Sequence, residues 1–206
     1  MPPQRLVKPA FLAGGILALA LAWGPWSWGH AGLSAHMLQH LIVMNVGALF
    51  LAIAVRLHVR RLLAVATVLQ IGLLWGWHLP ASFEAARHDL EMALLMQTSL
   101  FAAAFLFWST VVAHSVERSW QAIFALLITA KAFCLFGAIL CFAPGALFAG
   151  HGVSSASALE DQQLAGLFMM ASCALVYVAG SVVMFSRWMA SLENAAVWRH
   201  GWTADA

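Results

Sequence analysis

The sequence predicts an all-α protein, a single polytopic transmembrane helix bundle over residues 1–206 with about six spans and both termini cytoplasmic. Hydrophobic residues make up 63% of the chain and charged residues only 9%, where a soluble domain carries about 25% charged residues. Mean hydropathy is +0.87, and apolar runs of about twenty residues, the length that crosses a bilayer as a helix, recur along the chain. The basic residues gather on one side of those runs. The same composition excludes a water-soluble domain and a disordered chain. A net charge of +2 with no basic block longer than Arg60-Arg61 excludes nucleic-acid binding.

The predicted spans run from about 9–28, 34–55, 62–79, 92–112, 120–142 and 163–185. The first is preceded by Arg5 and Lys8, and "ALA" at 18–20 also resembles a signal-peptide cleavage site. Continuation of the apolar stretch through Trp23, Trp26 and Trp28 favours a retained span with an interfacial aromatic anchor. "RLHVRR" makes a short basic turn between spans two and three, and Pro80 ends the third. "PASFEAARHDLE" is too polar to cross and reads as a surface loop or a short interfacial helix. "GHGVSSASALED" reads as a loop, in which Ser157 and Glu160 have the capping-box spacing of a helix start. No soluble domain fits between these elements.

Orientation follows from the Lys/Arg count near span ends. Arg5, Lys8, Arg56, Arg60, Arg61, Arg118, Arg187 and Arg199 lie on one side, and only Arg87 on the other. Lys131 falls within the fifth span, where a cation is costly unless paired or turned to the bundle interior. The histidines then sort by side: His30, His36, His40, His78, His88 and His151 on the outer half, His58, His114 and His200 on the inner.

That one-sided cluster is the chief chemical clue. In "SAHMLQHLIVM", His36, His40 and Met44 are spaced by four and share one helix face, so two imidazoles and a thioether point the same way. Imidazole serves copper, zinc, iron or nickel, and thioether favours Cu(I). His78, in "WGWHLP", offers a third ligand from another helix, or is a helix-end histidine set among Trp75 and Trp77. Asp161, at the head of the sixth span, suits either a hydrogen bond to the second nitrogen of a ligating histidine or a helix cap. Histidines on facing helices also hold b-type haem, so a haem-binding membrane electron-transfer protein is the alternative. Cys134, Cys141 and Cys173 lie in apolar runs without CxxC spacing, which indicates neither disulfides nor a zinc ribbon. HExxH, P-loop and GxGxxG motifs are absent, which argues against an enzyme.

"SAHMLQHL", "WGWHLP", "LFW" at the end of the fourth span and "DQQLAG" at the head of the sixth, in this order, resemble the CtaG-type membrane proteins associated with assembly of caa-type cytochrome c oxidases. The resemblance covers about Ser34 to Phe185. It implies a non-catalytic, multi-pass protein of the bacterial plasma (inner) membrane that supports copper delivery to the oxidase, with His36, His40, His78 and Asp161 as the positions carried over. Oxidase subunits, the lipid bilayer and a copper-donor protein are the implied partners. Two departures stand out: Met96-Gln97 occupies the place of a Glu-His pair before the "FW", and "NVGALF" that of a proline-containing stretch.

Overall fold

The computed structural model describes residues 4–24, 32–57, 59–114, 119–148 and 155–204, with side chains from 8 to 194, Ser155 excepted. Among these residues the protein is all-helical, with seven helices. They are α1 (Gln4–Trp23), α2 (Leu33–Val55), α3 (Arg60–Trp77), α4 (Pro80–His88), α5 (Leu90–Val112), α6 (Ser119–Phe142) and α7, which runs through Ser155–Ser172, Cys173–Val178 and Ala179–Ala204. Trp26, Trp28, His30, His58, Arg118 and His151 lie outside the described residues.

Apolar length decides which helices can cross a bilayer. Four qualify alone: Leu33–Val55, Leu90–Val112, Ser119–Phe142 and Ala156–Asn194. α3 and α4 qualify together as a broken pair bent by 73°, and Lys8–Trp23 is apolar but shorter. The bend follows from Pro80. Without an N–H, and with its ring against the preceding turn, it cannot continue α3 and opens α4 at the first helical position. The polar stretch after it is therefore a short helix, closed by Asp89, whose side chain accepts from Glu91 N at 2.7 Å and starts α5.

Two expectations are corrected. The helix expected from about Ser157 begins at Ser155, so Ser157 lies inside the first turn and not at a cap, and the same helix extends well past Phe185 to Ala204. Lys131 is exposed on the outer surface of α6, not turned inward, and no ion pair or hydrogen bond reaches it among the described residues.

Small residues bring the helices together, because lipid offers no hydrophobic drive between them and close packing supplies the attraction. Gly14 and Gly15 of α1 lie against Phe50 and Leu51 of α2, where an added Cβ would meet side-chain atoms at 2.8 Å. α6 crosses α7 at Gly137 and Gly166, where a Cβ on Gly166 would stand 2.5 Å from the Gly137 carbonyl oxygen. α5 runs through the middle, against α2, α3 and α4. Phe107, Trp108, Phe133 and Tyr177 fill the core.

Polar side chains inside this core pair across helices. Tyr177 Oη accepts from Gln70 Nε2 at 2.7 Å and donates to Asn45 Oδ1 at 2.9 Å, linking α7, α3 and α2. Asn45 and Tyr177 each sit in a π-helical turn, Ile42–Gly47 and Cys173–Val178, the kind of local widening that concentrates at functional sites. Trp108 Nε1 donates to the Met44 carbonyl in the first of them at 2.9 Å. Nearer the start of α2, Trp23 Nε1 donates to Gln97, Gln97 to Gln39, and Gln39 to the Ala22 carbonyl. α2 ends at Arg56 with φ 53°, a left-handed position that costs a residue with a side chain about 1–2 kcal/mol.

Gly166→Val tests the helix crossing. Overpacking of this kind costs about 1–3 kcal/mol, so thermal unfolding in detergent is expected to fall by roughly 3–10 °C. An unchanged midpoint would show that α6 and α7 do not meet as closely as described.

Candidate metal centre

Three imidazoles meet where α3 stops. His36 and His40 stand one turn apart on α2, and His78 follows the last residue of α3, delivered there because Pro80 forces the chain to turn. A ring nitrogen from each lies within 4.8 Å of the others. Their ring centroids are separated by 4.3 Å (His36 to His40), 5.6 Å (His40 to His78) and 6.1 Å (His36 to His78). His40 and His78 are buried and His36 is half-buried, so the cluster is reached past His36.

Hydrogen bonding leaves these rings with free nitrogens. His78 Nδ1 sits 2.7 Å from the Leu74 carbonyl, which can only accept, so Nδ1 carries the proton and Nε2 presents a lone pair. That Nε2 is buried without a partner, and so is Nδ1 of His40. His40 Nε2 and His36 Nε2 face each other at 2.9 Å. A buried polar atom left unpaired costs about 1–3 kcal/mol. Metal coordination removes that cost, and the backbone bond of His78 is the kind of outer contact that fixes a ligand's tautomer. Three neutral imidazoles fit a borderline or soft transition-metal ion.

Aromatic side chains cover the cluster. Phe83, from α4, lies 5.1 Å from His36 and 6.3 Å from His78 between ring centroids, Phe136 lies 5.4 Å from His78, and Phe148 packs on Phe83 at 4.9 Å. The short helix after Pro80 is thus a cap on the site. Its buried residues, Phe83 and Ala86, are three apart in an otherwise exposed segment. That amphipathic spacing is the signal by which sequence reasoning could have found Phe83.

Asp161 is held by Ser34. Both carboxylate oxygens accept from the Ser34 backbone N–H at 3.4 Å, and the Ser34 hydroxyl donates to Oδ1. The carboxylate therefore caps the first turn of the helix that carries His36 and His40, two residues before the first ligand candidate. No contact between Asp161 and an imidazole appears among the described hydrogen bonds. The neighbouring Gln162, not singled out from the sequence, donates to the Leu140 carbonyl at 3.1 Å and accepts from Leu147 N at 2.6 Å, fastening the segment that carries Phe148. Met44 lies deeper on α2, fully buried in the apolar core. Of the other outer histidines, His88 pairs with Glu84 on the exposed face of α4 at 2.7 Å. Gln97 is hydrogen-bonded to Trp23 and Gln39.

Compared with known families, residues 55–191 match the cytochrome c oxidase caa3 assembly factor family (Caa3_CtaG), a stretch of roughly two thirds of the chain. The chain belongs to this family. Its members are oxidase assembly factors, a role that implies no catalysis, and the apolar helices make this member a membrane protein. His78 and Asp161 fall within the matched stretch, whereas His36 and His40 precede it on α2. No curated protein and no solved structure matches the chain.

The Asp161 contact has a direct test. Asp161→Leu leaves the Ser34 donors unpaired, and loss of such a cap costs about 1 kcal/mol, up to 2. The unfolding midpoint is expected to drop by about 2–8 °C. Asp161→Asn keeps one acceptor oxygen and should fall by less than half as much. Equal midpoints for parent and Leu variant would remove the cap from the structure's supports.

Proposed function

We propose that this protein holds a copper ion as cargo on His36, His40 and His78, with Met44 as a deeper thioether donor, and supports its delivery to cytochrome c oxidase. The observation that carries this reading is the convergence of three imidazoles within 4.8 Å, two of them with buried and unpartnered ring nitrogens. Membership of an oxidase assembly family supplies the client, and the imidazole and thioether donors suit copper. Transfer is ligand exchange at constant oxidation state. A copper-donor protein loads the site, an oxidase subunit takes the ion, and the half-buried His36 is the imidazole that exchanges first. Asp161 acts on the site through Ser34, holding the start of α2 so that His36 and His40 keep their alignment with His78.

The protein on this reading sits in a bacterial plasma membrane with six crossings and both termini cytoplasmic. α3, with 18 residues from Arg60 to Trp77, is about 27 Å long, enough for the hydrocarbon core, and α4 then lies at the outer interface over the imidazoles. α1, α2, α5, α6 and α7 complete the count. Arg56, Arg60 and Arg61 stand at the ends of their helices away from the imidazoles, and Arg187 lies within the later part of α7, in keeping with cytoplasmic retention of basic residues.

Two measurements test the reading. His40→Ala and His78→Ala are each expected to weaken Cu(I) binding more than about 100-fold, beyond the usual loss for an outer contact, in protein that still inserts. Full copper loading in the double variant, or a Soret band in the purified parent, would sink the proposal. In cells, deletion is expected to leave the oxidase copper-deficient, with activity restored by the parent and not by His78→Ala. Separately, a reporter fused to the C-terminus should be active only as a cytoplasmic reporter; a periplasmic one would invert the orientation.

A further inference from the structure

At the end of the bundle opposite the imidazoles, α3 and α6 enclose a groove of about 690 Å³. The two helices pack closely at their far ends, where Trp75 and Phe136 stack edge-on at 5.4 Å, and the groove opens toward their beginnings. Arg60, Arg61 and Trp120 stand at its mouth, and Val68, Phe124 and Ile128 line its walls. Val68, Phe124 and Ile128 are all exposed apolar side chains. Arg60 to Val68 and Trp120 to Ile128 are each eight residue steps apart, about 12 Å of helix. One leaflet of hydrocarbon is about 15 Å deep, so the groove spans most of a leaflet with its cationic mouth at headgroup level.

The described Lys, Arg, Asp and Glu side chains that line cavities at this end are all arginines. Two further cavities open nearby, about 640 Å³ with Arg56 and Arg187 in its lining and about 600 Å³ with Arg60 and Arg61 again. Among the described residues no Asp or Glu lines any of the three. A guanidinium pair suits bidentate contact with a phosphate, and basic pockets between membrane helices on the cytoplasmic side are where anionic headgroups bind. A second copy of the chain docking by the same face would set arginines against arginines.

We infer that an anionic phospholipid binds here, its phosphate between Arg60 and Arg61 and an acyl chain in the groove between α3 and α6. Trp120 lies at the boundary between the two parts, where an amphipathic ring is stable. The lipid fills the wedge that the diverging helices leave and thereby fixes the spacing of α3 and α6, whose far ends carry His78 and Phe136. This inference does not rest on the copper reading, since neither its residues nor its test involves a metal.

The test is thermal unfolding of the full chain in dodecyl maltoside with added phosphatidylglycerol, phosphatidylcholine or inorganic phosphate. Phosphatidylglycerol is expected to raise the midpoint by about 5 °C or more, phosphatidylcholine by less than a third of that, and inorganic phosphate not at all. Arg60→Gln with Arg61→Gln should abolish the difference between the two lipids. Val68→Trp, which fills the groove and leaves both arginines, should reduce the phosphatidylglycerol effect by half or more, and it decides the matter if the arginine variant does not insert. Equal stabilisation by phosphatidylcholine, or full stabilisation by inorganic phosphate alone, overturns the inference. So does a benzophenone placed at Val68 that crosslinks to a protein in membranes and not to lipid.

Discussion

A carboxylate at the head of α7 reaches across 127 positions of sequence to the first turn of α2, and the geometry of the imidazoles follows from that contact. Lipid provides no hydrogen bonds, so a polar group within the bundle must be satisfied by another helix or pay for its isolation. Asp161 and Ser34 satisfy each other. In doing so they set the height of α2 against α7, and with it the depth of His36 and His40. The Gly137 and Gly166 crossing brings α6 against α7 just below, which places Phe136 beside His78. One end of the bundle is thus built from two contacts that share α7, with Phe136 set beside His78 by the second.

The same requirement explains the buried amides and the tyrosine. Gln70, Tyr177 and Asn45 tie α3, α7 and α2 together in the core, and Trp23, Gln97 and Gln39 tie α1, α5 and α2 nearer the imidazoles. These neutral groups bond to one another across helices in place of charges, which would be far more expensive in the same position. Buried polar atoms without a partner among the described residues are Asn45 Nδ2, Gln70 Oε1, Ser109 Oγ, His40 Nδ1 and His78 Nε2, and of these the two imidazole nitrogens belong to a cluster of potential metal ligands. Those two imidazoles lie under an aromatic cover that leaves the half-buried His36 as the open side.

Much of this was legible in the sequence where a one-dimensional pattern carries the physics. Apolar length located the bodies of the long helices, four-residue spacing placed His36 above His40, and Pro80 announced the turn that delivers His78. What escaped needed knowledge of which helices touch. Nothing in "IVMNVG" or "CALVYV" marks a π-helical turn, because the widening answers to neighbours such as Trp108 and Tyr177. The polar composition of "SASALED" resembles a loop, yet it is helical because α7 continues upward beside α2. Asp161 could be placed at a helix head, but its partner Ser34 is fixed only by tertiary packing. The cost of a cation in lipid left Lys131 either paired or turned inward, and the structure sets it on the exposed face of α6.

The central claim is that the three imidazoles form one metal site. X-ray absorption at the copper edge of the Cu(I)-loaded protein tests it most directly, because imidazole rings give a light-atom inner shell with characteristic outer-ring scattering, whereas thioether and thiolate give heavier sulfur neighbours. The expected result is an imidazole-dominated shell that loses one ring's contribution in His78→Ala. A shell of sulfur alone, unchanged by that substitution, would contradict the claim and move the copper to the methionines and cysteines of the core.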